Sequence, residues 1–351
     1  MRSTAHTIAR VVVRPPNWLG DAVMALPAIT AVRRHFRDSD LTIAASPSVA
    51  ALFREDTDVE PNRVIDLPRD TRAVAALLEG EGFDLGVLFP NSFRSAWQFW
   101  RGGIRERWGY ARSGRGLLLT RRSRPRARRA SPHHADYYRD LVRGLDIACD
   151  DQVLPRLTAR VPSVDRAMAL LAARLVDPRA RLVGLAPGAA YGQAKQWPPD
   201  RVAALIGRLV LERAVTCVVV GASHDRDTAR KIESWLRERA PEALAGFVDL
   251  TGRTSLGALV GLIQRMDVFV SNDSGAMHVA AALARPVVAI FGPTDERATR
   301  PLGDHVVLSA PVFCRPCLLR ECPIDHRCMK RVLVDDVFGA VAAQLAEPGR
   351  A

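Results

Sequence analysis

The sequence predicts an α/β protein built from two Rossmann-like domains, and three observations carry that prediction. Apolar runs of four to seven residues alternate with stretches of helical period, the signature of parallel strand–helix units. The alternation stops at 151–163, a stretch with two prolines and little periodicity, and then restarts. With 351 residues and 48% hydrophobic content, the chain exceeds the usual size of one core, so two domains of roughly 150 residues each are expected.

In the first half, strands are expected near 11–13, 41–44, 64–67 and 85–89, with helices near 22–36, 73–78 and 95–100. After the break, strands at 182–186, 215–220, 247–249, 268–270 and 287–291 interleave with helices at 201–211, 226–237, 256–265 and 276–283. The stretch 332–345 is amphipathic enough for a last helix. The expected division is therefore 1–158, 159–330 and a C-terminal helix and tail at 331–351. Ligands of such sheets bind at the carboxyl ends of the strands, so the chemistry is sought in the loops that follow them.

No run approaches the roughly 18 apolar residues needed to cross a bilayer, and the start MRSTAHTIARVVV lacks the order of a secretory signal. The expected compartment is the cytoplasm. The formal charge of +12 is local: residues 101–130 hold eleven arginines against Glu106 alone and so supply +10 of it. A solvated loop is the bland account of this tract. Planar guanidinium groups also suit phosphate and carboxylate recognition. Only three of the 50 basic residues are lysines, so Lys195 in a glycine-containing loop is informative.

Three loops stand out. The first strand runs into Arg14-Pro-Pro-Asn-Trp-Leu-Gly-Asp21, where Asp21 sits at the position of an N-cap and also where a carboxylate can act as a general base. The second sheet opens with Leu185-Ala-Pro-Gly-Ala-Ala-Tyr-Gly-Gln-Ala-Lys195, whose backbone N–H groups and lysine charge suit a departing diphosphate. The third is Val270-Ser-Asn-Asp-Ser-Gly-Ala-Met-His278, a polar turn that opens a small-residue helix whose N-terminus can hold an anion. Asp273 reads equally as a cap there, and His278 as a packing histidine.

Cys314, Cys317, Cys322 and Cys328 form a C-x2-C-x4-C-x5-C cluster, with His326 beside them. Four thiolates at such spacing can build a structural zinc site, and four reduced thiols in a surface loop is the plain alternative. Catalysis is expected not to depend on this cluster.

Five stretches in order, Trp18-Leu-Gly-Asp21-Ala-Val-Met, Pro90-Asn-Ser-Phe-Arg-Ser95, Ala186-Pro-Gly with Lys195-Gln-Trp-Pro198, Asn272-Asp-Ser-Gly-Ala-Met-His278 and Phe291-Gly-Pro-Thr294, resemble the ADP-heptose:lipopolysaccharide heptosyltransferases of glycosyltransferase family 9. Their order and wording are most similar to the heptosyltransferase II branch. The resemblance implies a GT-B fold, two Rossmann-like domains facing a central cleft, an inverting mechanism and no cofactor for catalysis. Asp21 would deprotonate a hydroxyl on the first core heptose, and Lys195 with the helix after Asp273 would stabilise the released ADP. It further implies donor binding by Gly188, Lys195, Asp225, Asp273, Ser274, Gly275 and His278. Asn91, Ser92, Arg94, Arg107, Arg112 and Arg115 would meet a lipid A-core acceptor at the cytoplasmic face of the inner membrane. Some relatives have hydroxyl side chains where Ala189 and Ala190 stand, so phosphate contacts there would come from backbone N–H groups.

Two rivals remain. A nucleotide-sugar epimerase or hydrolase on the same fold would turn over donor without acceptor. A basic nucleic-acid-binding protein would show salt-dependent binding to random DNA, but the chain lacks interleaved aromatics and any reader motif.

Overall fold

Strands such as Arg10–Arg14 and Leu182–Ala186 are apolar without alternation and buried on both faces, which is the situation of a central strand covered by helices on each side of a parallel sheet. The computed structural model describes residues 8–124 and 133–346 and divides the chain into two compact units, Met1–Arg156 and Leu157–Ala351. Arg126, Arg128 and Arg129 of the arginine tract, and the end of the tail at 347–351, lie outside the described residues.

The first unit holds β1 (Arg10–Arg14), α1 (Leu19–His35), β2 (Asp40–Ala45), β3 (Arg63–Asp66), α2 (Thr71–Glu81), β4 (Leu85–Leu88), α3 (Phe93–Arg101), β5 (Glu106–Tyr110), β6 (Arg121–Ser123) and α4 (His134–Arg143). Its six-stranded sheet runs β3-β2-β1-β4-β5-β6, with every pairing parallel. The second unit holds α5 (Val161–Ala172), β7 (Leu182–Ala186), α6 (Pro199–Arg213), β8 (Thr216–Val219), α7 (Arg226–Arg239), β9 (Phe247–Asp249), α8 (Leu256–Arg265), β10 (Val268–Asn272), α9 (Gly275–Ala282), β11 (Val287–Phe291), β12 (Val306–Ser309) and α10 (Val334–Ala346). Its sheet repeats the pattern as β9-β8-β7-β10-β11-β12, again all parallel.

Both orders are the doubly wound one, in which the chain reverses direction between its first and fourth strands and leaves a crevice at their carboxyl ends. In the first unit the loops at that point are those after β1 and β4. In the second they follow β7 and β10. Four of the five stretches singled out by sequence thus occupy the switch point of one sheet or the other.

The structure adds β5, β6 and β12, which periodicity did not show, because they are short edge or near-edge strands and two of them carry arginines. It adds α4 and α5 as well. Helix α1 begins at Leu19, a turn earlier than expected, with Trp18 as N-cap. Among the described residues no helix is long and apolar enough to cross a membrane.

Helices α5 and α8 pack together at Gly261, where a Cβ would stand 2.3 Å from the Ser163 carbonyl oxygen. That neighbour is backbone and cannot rotate away. Gly261→Ala is therefore predicted to destabilise the second unit by about 1–3 kcal/mol through overpacking. Denaturant unfolding that matches the wild type would refute this close approach.

Candidate functional site

Asp21 is the third residue of α1 and not its cap, since Trp18 occupies that position and makes no side-chain cap bond. Its place in the first turn still favours a negative charge, because the unpaired N–H groups there present the positive end of the helix dipole. Helix α4 packs on α1 and brings two further groups to the carboxylate. Tyr138 donates its hydroxyl to Asp21 Oδ1 at 3.1 Å, and His134 Nδ1 lies 3.4 Å from the same oxygen. His134 and Tyr138 are four residues apart, so they share one helix face. Burial first, and the Asp21 carboxylate second, push the Tyr138 phenol far above its ordinary value, so it remains a proton donor to Asp21 at any working pH. The carboxylate itself keeps a quarter of its surface open, at 25% exposure.

After β4, Ser92 caps α3 by accepting from the Ser95 N–H at 3.2 Å. Asn91 donates to the Tyr137 hydroxyl at 2.6 Å, and the exposed Arg112 lies over the Tyr137 ring at 5.6 Å. The arginines expected beside this loop divide into two kinds. Arg115 is fully buried and donates to the carbonyls of Tyr110 and Pro90, so it props the loop from beneath and is not open to an acceptor. Burial lowers its pKa to about 10, which leaves it charged at neutral pH. Arg107 stands near the amino end of β5, paired with Gly86 of β4, and binds the carbonyls of Leu118, Ile104 and Arg105. It is at the wrong end of the sheet for the switch point. Both acceptor expectations, for Arg107 and for Arg115, are therefore corrected. Arg14, at the carboxyl end of β1, was not foreseen. Burial and then the charge of Arg94 lower its pKa to about 10, Gln98 accepts from it at 2.7 Å, and its Nε has no partner. Two guanidinium groups in one another's field suit an anion between or beside them.

In the second unit, Lys195 Nζ lies 2.6 Å from Asp273 Oδ2, and Thr294 donates to the same oxygen at 2.7 Å. The lysine also sits over the Tyr191 ring at 4.6 Å. Asn272, buried at the end of β10, donates to the Pro187 carbonyl at 2.6 Å and accepts from the Trp197 N–H at 3.2 Å, so it pins both ends of the lysine loop. Ser274, not Asp273, is the N-cap of α9, with Gly275 its first residue. Ser274 makes no side-chain cap bond, so its hydroxyl does not occupy the first amides of that helix; it pairs with the Ser271 hydroxyl at 3.0 Å. His278 is buried in α9. Gly188 has a steric reason to be glycine: a Cβ there would lie 2.3 Å from the carboxyl carbon of Asp225. Asp225 is buried and accepts from the Ala222 N–H at 2.9 Å, while its Oδ1 has no hydrogen-bond partner. A cavity of about 500 Å³ opens beside Thr294, lined in part by Asp295, Arg297, Val312, Phe313 and Arg315.

The structure shows no metal site at the four cysteines, for which the sequence leaves zinc and free thiols both open. Among the described residues no three His, Cys, Asp or Glu side chains converge so as to hold a metal ion. His326 Nε2 bonds the Ala194 carbonyl at 2.7 Å. Burial raises the Cys328 thiol, and the other three cysteines raise it further. The His326 contact also ties the cysteine segment to the lysine loop, since Ala194 directly precedes Lys195.

Residues 71–327 match the family model for glycosyltransferase family 9 (heptosyltransferase). The lipooligosaccharide heptosyltransferase 2 of Haemophilus influenzae is 27% identical over 85% of this chain and 87% of its own length. The lipopolysaccharide heptosyltransferase 2 of Salmonella typhimurium is 29% identical over 84% of this chain and 86% of its own. Among solved structures, the ADP-heptose lipopolysaccharide heptosyltransferase II of Escherichia coli superposes with a TM-score of 0.81 at 25% identity, covering 96% of this chain and 98% of that one.

Because Tyr138 donates to Asp21, Tyr138→Phe is predicted to slow any reaction that uses this carboxylate about tenfold, as expected for losing one bond to a charged group. Nucleotide affinity should hold, since the change lies in the other unit. An unchanged rate would remove Tyr138 from the site.

Proposed function

From the chain's membership of glycosyltransferase family 9, we propose that it transfers L-glycero-D-manno-heptose from ADP-heptose to the first heptose of the lipopolysaccharide inner core, with inversion at the anomeric carbon. The chain is a glycosyltransferase of the GT-B type. The substrates rest on the likeness to the type 2 enzymes over most of the chain. The observation that carries the chemistry is the Asp21 carboxylate at a switch point, part exposed and held by Tyr138 with His134 beside it.

In this reading Asp21 takes the proton of the acceptor hydroxyl while that oxygen bonds to the anomeric carbon and the bond to the diphosphate breaks. ADP leaves with an added negative charge. Lys195 and the N–H groups opening α9 oppose that charge, with Asp273 holding the lysine in place until the diphosphate arrives. Asp225, whose Oδ1 lies against Gly188 with no hydrogen-bond donor and with His224 Nε2 3.6 Å away, would accept from a ribose hydroxyl. Gly275 and Ser274 contribute backbone amides, and His278 supports the helix from within. No metal or cofactor enters any of these steps.

On the acceptor side, Asn91, Ser92, Arg94 and Arg112 remain candidates for the phosphorylated sugar, joined by Arg14. Exposed Arg101, Arg105, Arg122 and Arg124 would hold the protein to the anionic cytoplasmic face of the inner membrane, at about 1 kcal/mol per residue. Raised salt should weaken that attachment, because exposed charges are screened within about 8 Å at physiological ionic strength.

Purified protein given ADP-heptose and truncated core acceptors should add one heptose to an acceptor that already carries one, read by mass. Product from a heptose-free acceptor would instead assign the type I reaction, and donor breakdown without acceptor would assign a hydrolase or epimerase. Asp21→Ala is predicted to lower turnover at least ~100-fold with donor binding preserved, the usual loss for a general base. Turnover near the wild-type rate would end the assignment of Asp21.

A further inference from the structure

The lysine loop is short of regular structure, yet Ala194, the residue before Lys195, is held through both its N–H and its carbonyl. The Ala194 N–H donates to the Arg320 carbonyl at 3.0 Å, and the Ala194 carbonyl accepts from His326 Nε2 at 2.7 Å. A carbonyl can only accept, so His326 carries a proton on Nε2 here. Tyr191 of the same loop donates to the Leu318 carbonyl at 2.6 Å, and Arg320 lies over the Tyr191 ring at 5.5 Å. Gly192 admits this approach: a Cβ there would stand 2.4 Å from the Arg320 carbonyl oxygen.

The partner segment is itself anchored. The Leu318 N–H donates to the Pro293 carbonyl at 2.9 Å, and Arg315 donates to the Gly292 carbonyl and to Glu296, each at 2.6 Å. His326 adopts a left-handed φ of 61°, uncommon for a residue with a side chain, and its own N–H reaches Cys322 Sγ at 3.3 Å. The cysteine-bearing segment 314–328 therefore links the lysine loop to the loop after β11, whose Thr294 holds Asp273.

We propose that this segment is the brace that sets the lysine loop for the nucleotide diphosphate, with His326 as its positioning residue. The inference rests on the reading that this loop binds the ADP part of the donor. His326 touches no substrate. It fixes the Ala194 carbonyl and thereby the direction in which Lys195 leaves the backbone. Cys322 accepts from the His326 N–H, so its contribution reaches the donor through His326.

The test compares His326→Ala, His326→Gln, Tyr191→Phe and Lys195→Ala by ADP calorimetry and by steady-state kinetics. His326→Ala should weaken ADP about tenfold and raise the donor KM by a similar factor, with a loss of kcat no larger than that of Lys195→Ala and acceptor KM little changed. His326→Gln, which restores an N–H donor, should recover most of the loss. Tyr191→Phe removes only the bond to Leu318 and should give a smaller change in the same direction, which keeps the test open if His326→Ala folds poorly. If Lys195→Ala weakens ADP while the His326 and Tyr191 variants bind it as the wild type does, the brace is overturned. If Lys195→Ala also leaves ADP affinity unchanged, the loop is not the diphosphate site, and the donor reading falls together with the brace.

Discussion

A parallel sheet whose strand order reverses between its first and fourth members cannot cover the carboxyl ends of both strands, because the loops that follow them depart to opposite faces. That constraint operates twice in this chain and determines where polar chemistry is tolerated. The loop after β1 leads into the first turn of α1 with Asp21, the loop after β4 carries Asn91, and those after β7 and β10 carry Lys195 and Asp273. The central strands are buried on both faces, and a polar side chain there would lose water without gaining a partner.

Within the second unit, the Lys195–Asp273 pair shows how such a crevice is kept ready. Only 12% of the lysine side chain and 6% of the aspartate remain exposed. Ion pairs this far from water contribute little net stability, because desolvation offsets the attraction, but their geometry is specific. Thr294 and Asn272 add that specificity from β11 and β10, and Tyr191 gives the cation an aromatic face. A diphosphate entering this place meets a charge already oriented, and less reorganisation is needed when the leaving group departs.

The arginine tract illustrates a different division of labour. Arg115 and Arg107 bind backbone carbonyls, and Arg121 lies over Trp108 at 4.7 Å and pairs with Asp146, so three of its guanidinium groups build the edge of the first sheet. The exposed remainder is what an anionic surface would meet. Charge counting treats these residues alike, whereas the fold separates them by whether unpaired carbonyls lie within reach.

Both Rossmann-like sheets were legible in the sequence because buried parallel strands are continuous apolar runs, and Val11–Val13 or Val183–Leu185 have no other reading. Asp21, Lys195 and the Asn272–His278 stretch were legible as sites because polar residues directly after such strands fall at their carboxyl ends. The sequence could not pair Asp21 with Tyr138 and His134, since those side chains are more than a hundred residues away and come from α4, a polar, charge-rich helix. Nor could it distinguish Arg112 from Arg115, three residues apart, one exposed and the other fully buried beneath Pro90. The spacing of Cys314, Cys317, Cys322 and Cys328 pointed to a metal, whereas the fold turns His326 onto Ala194 and joins that segment to the lysine loop. Periodicity reports which face of an element meets the core, and that is settled locally. Which side chain meets which across the core depends on how helices and loops dock, and only the tertiary structure decides it.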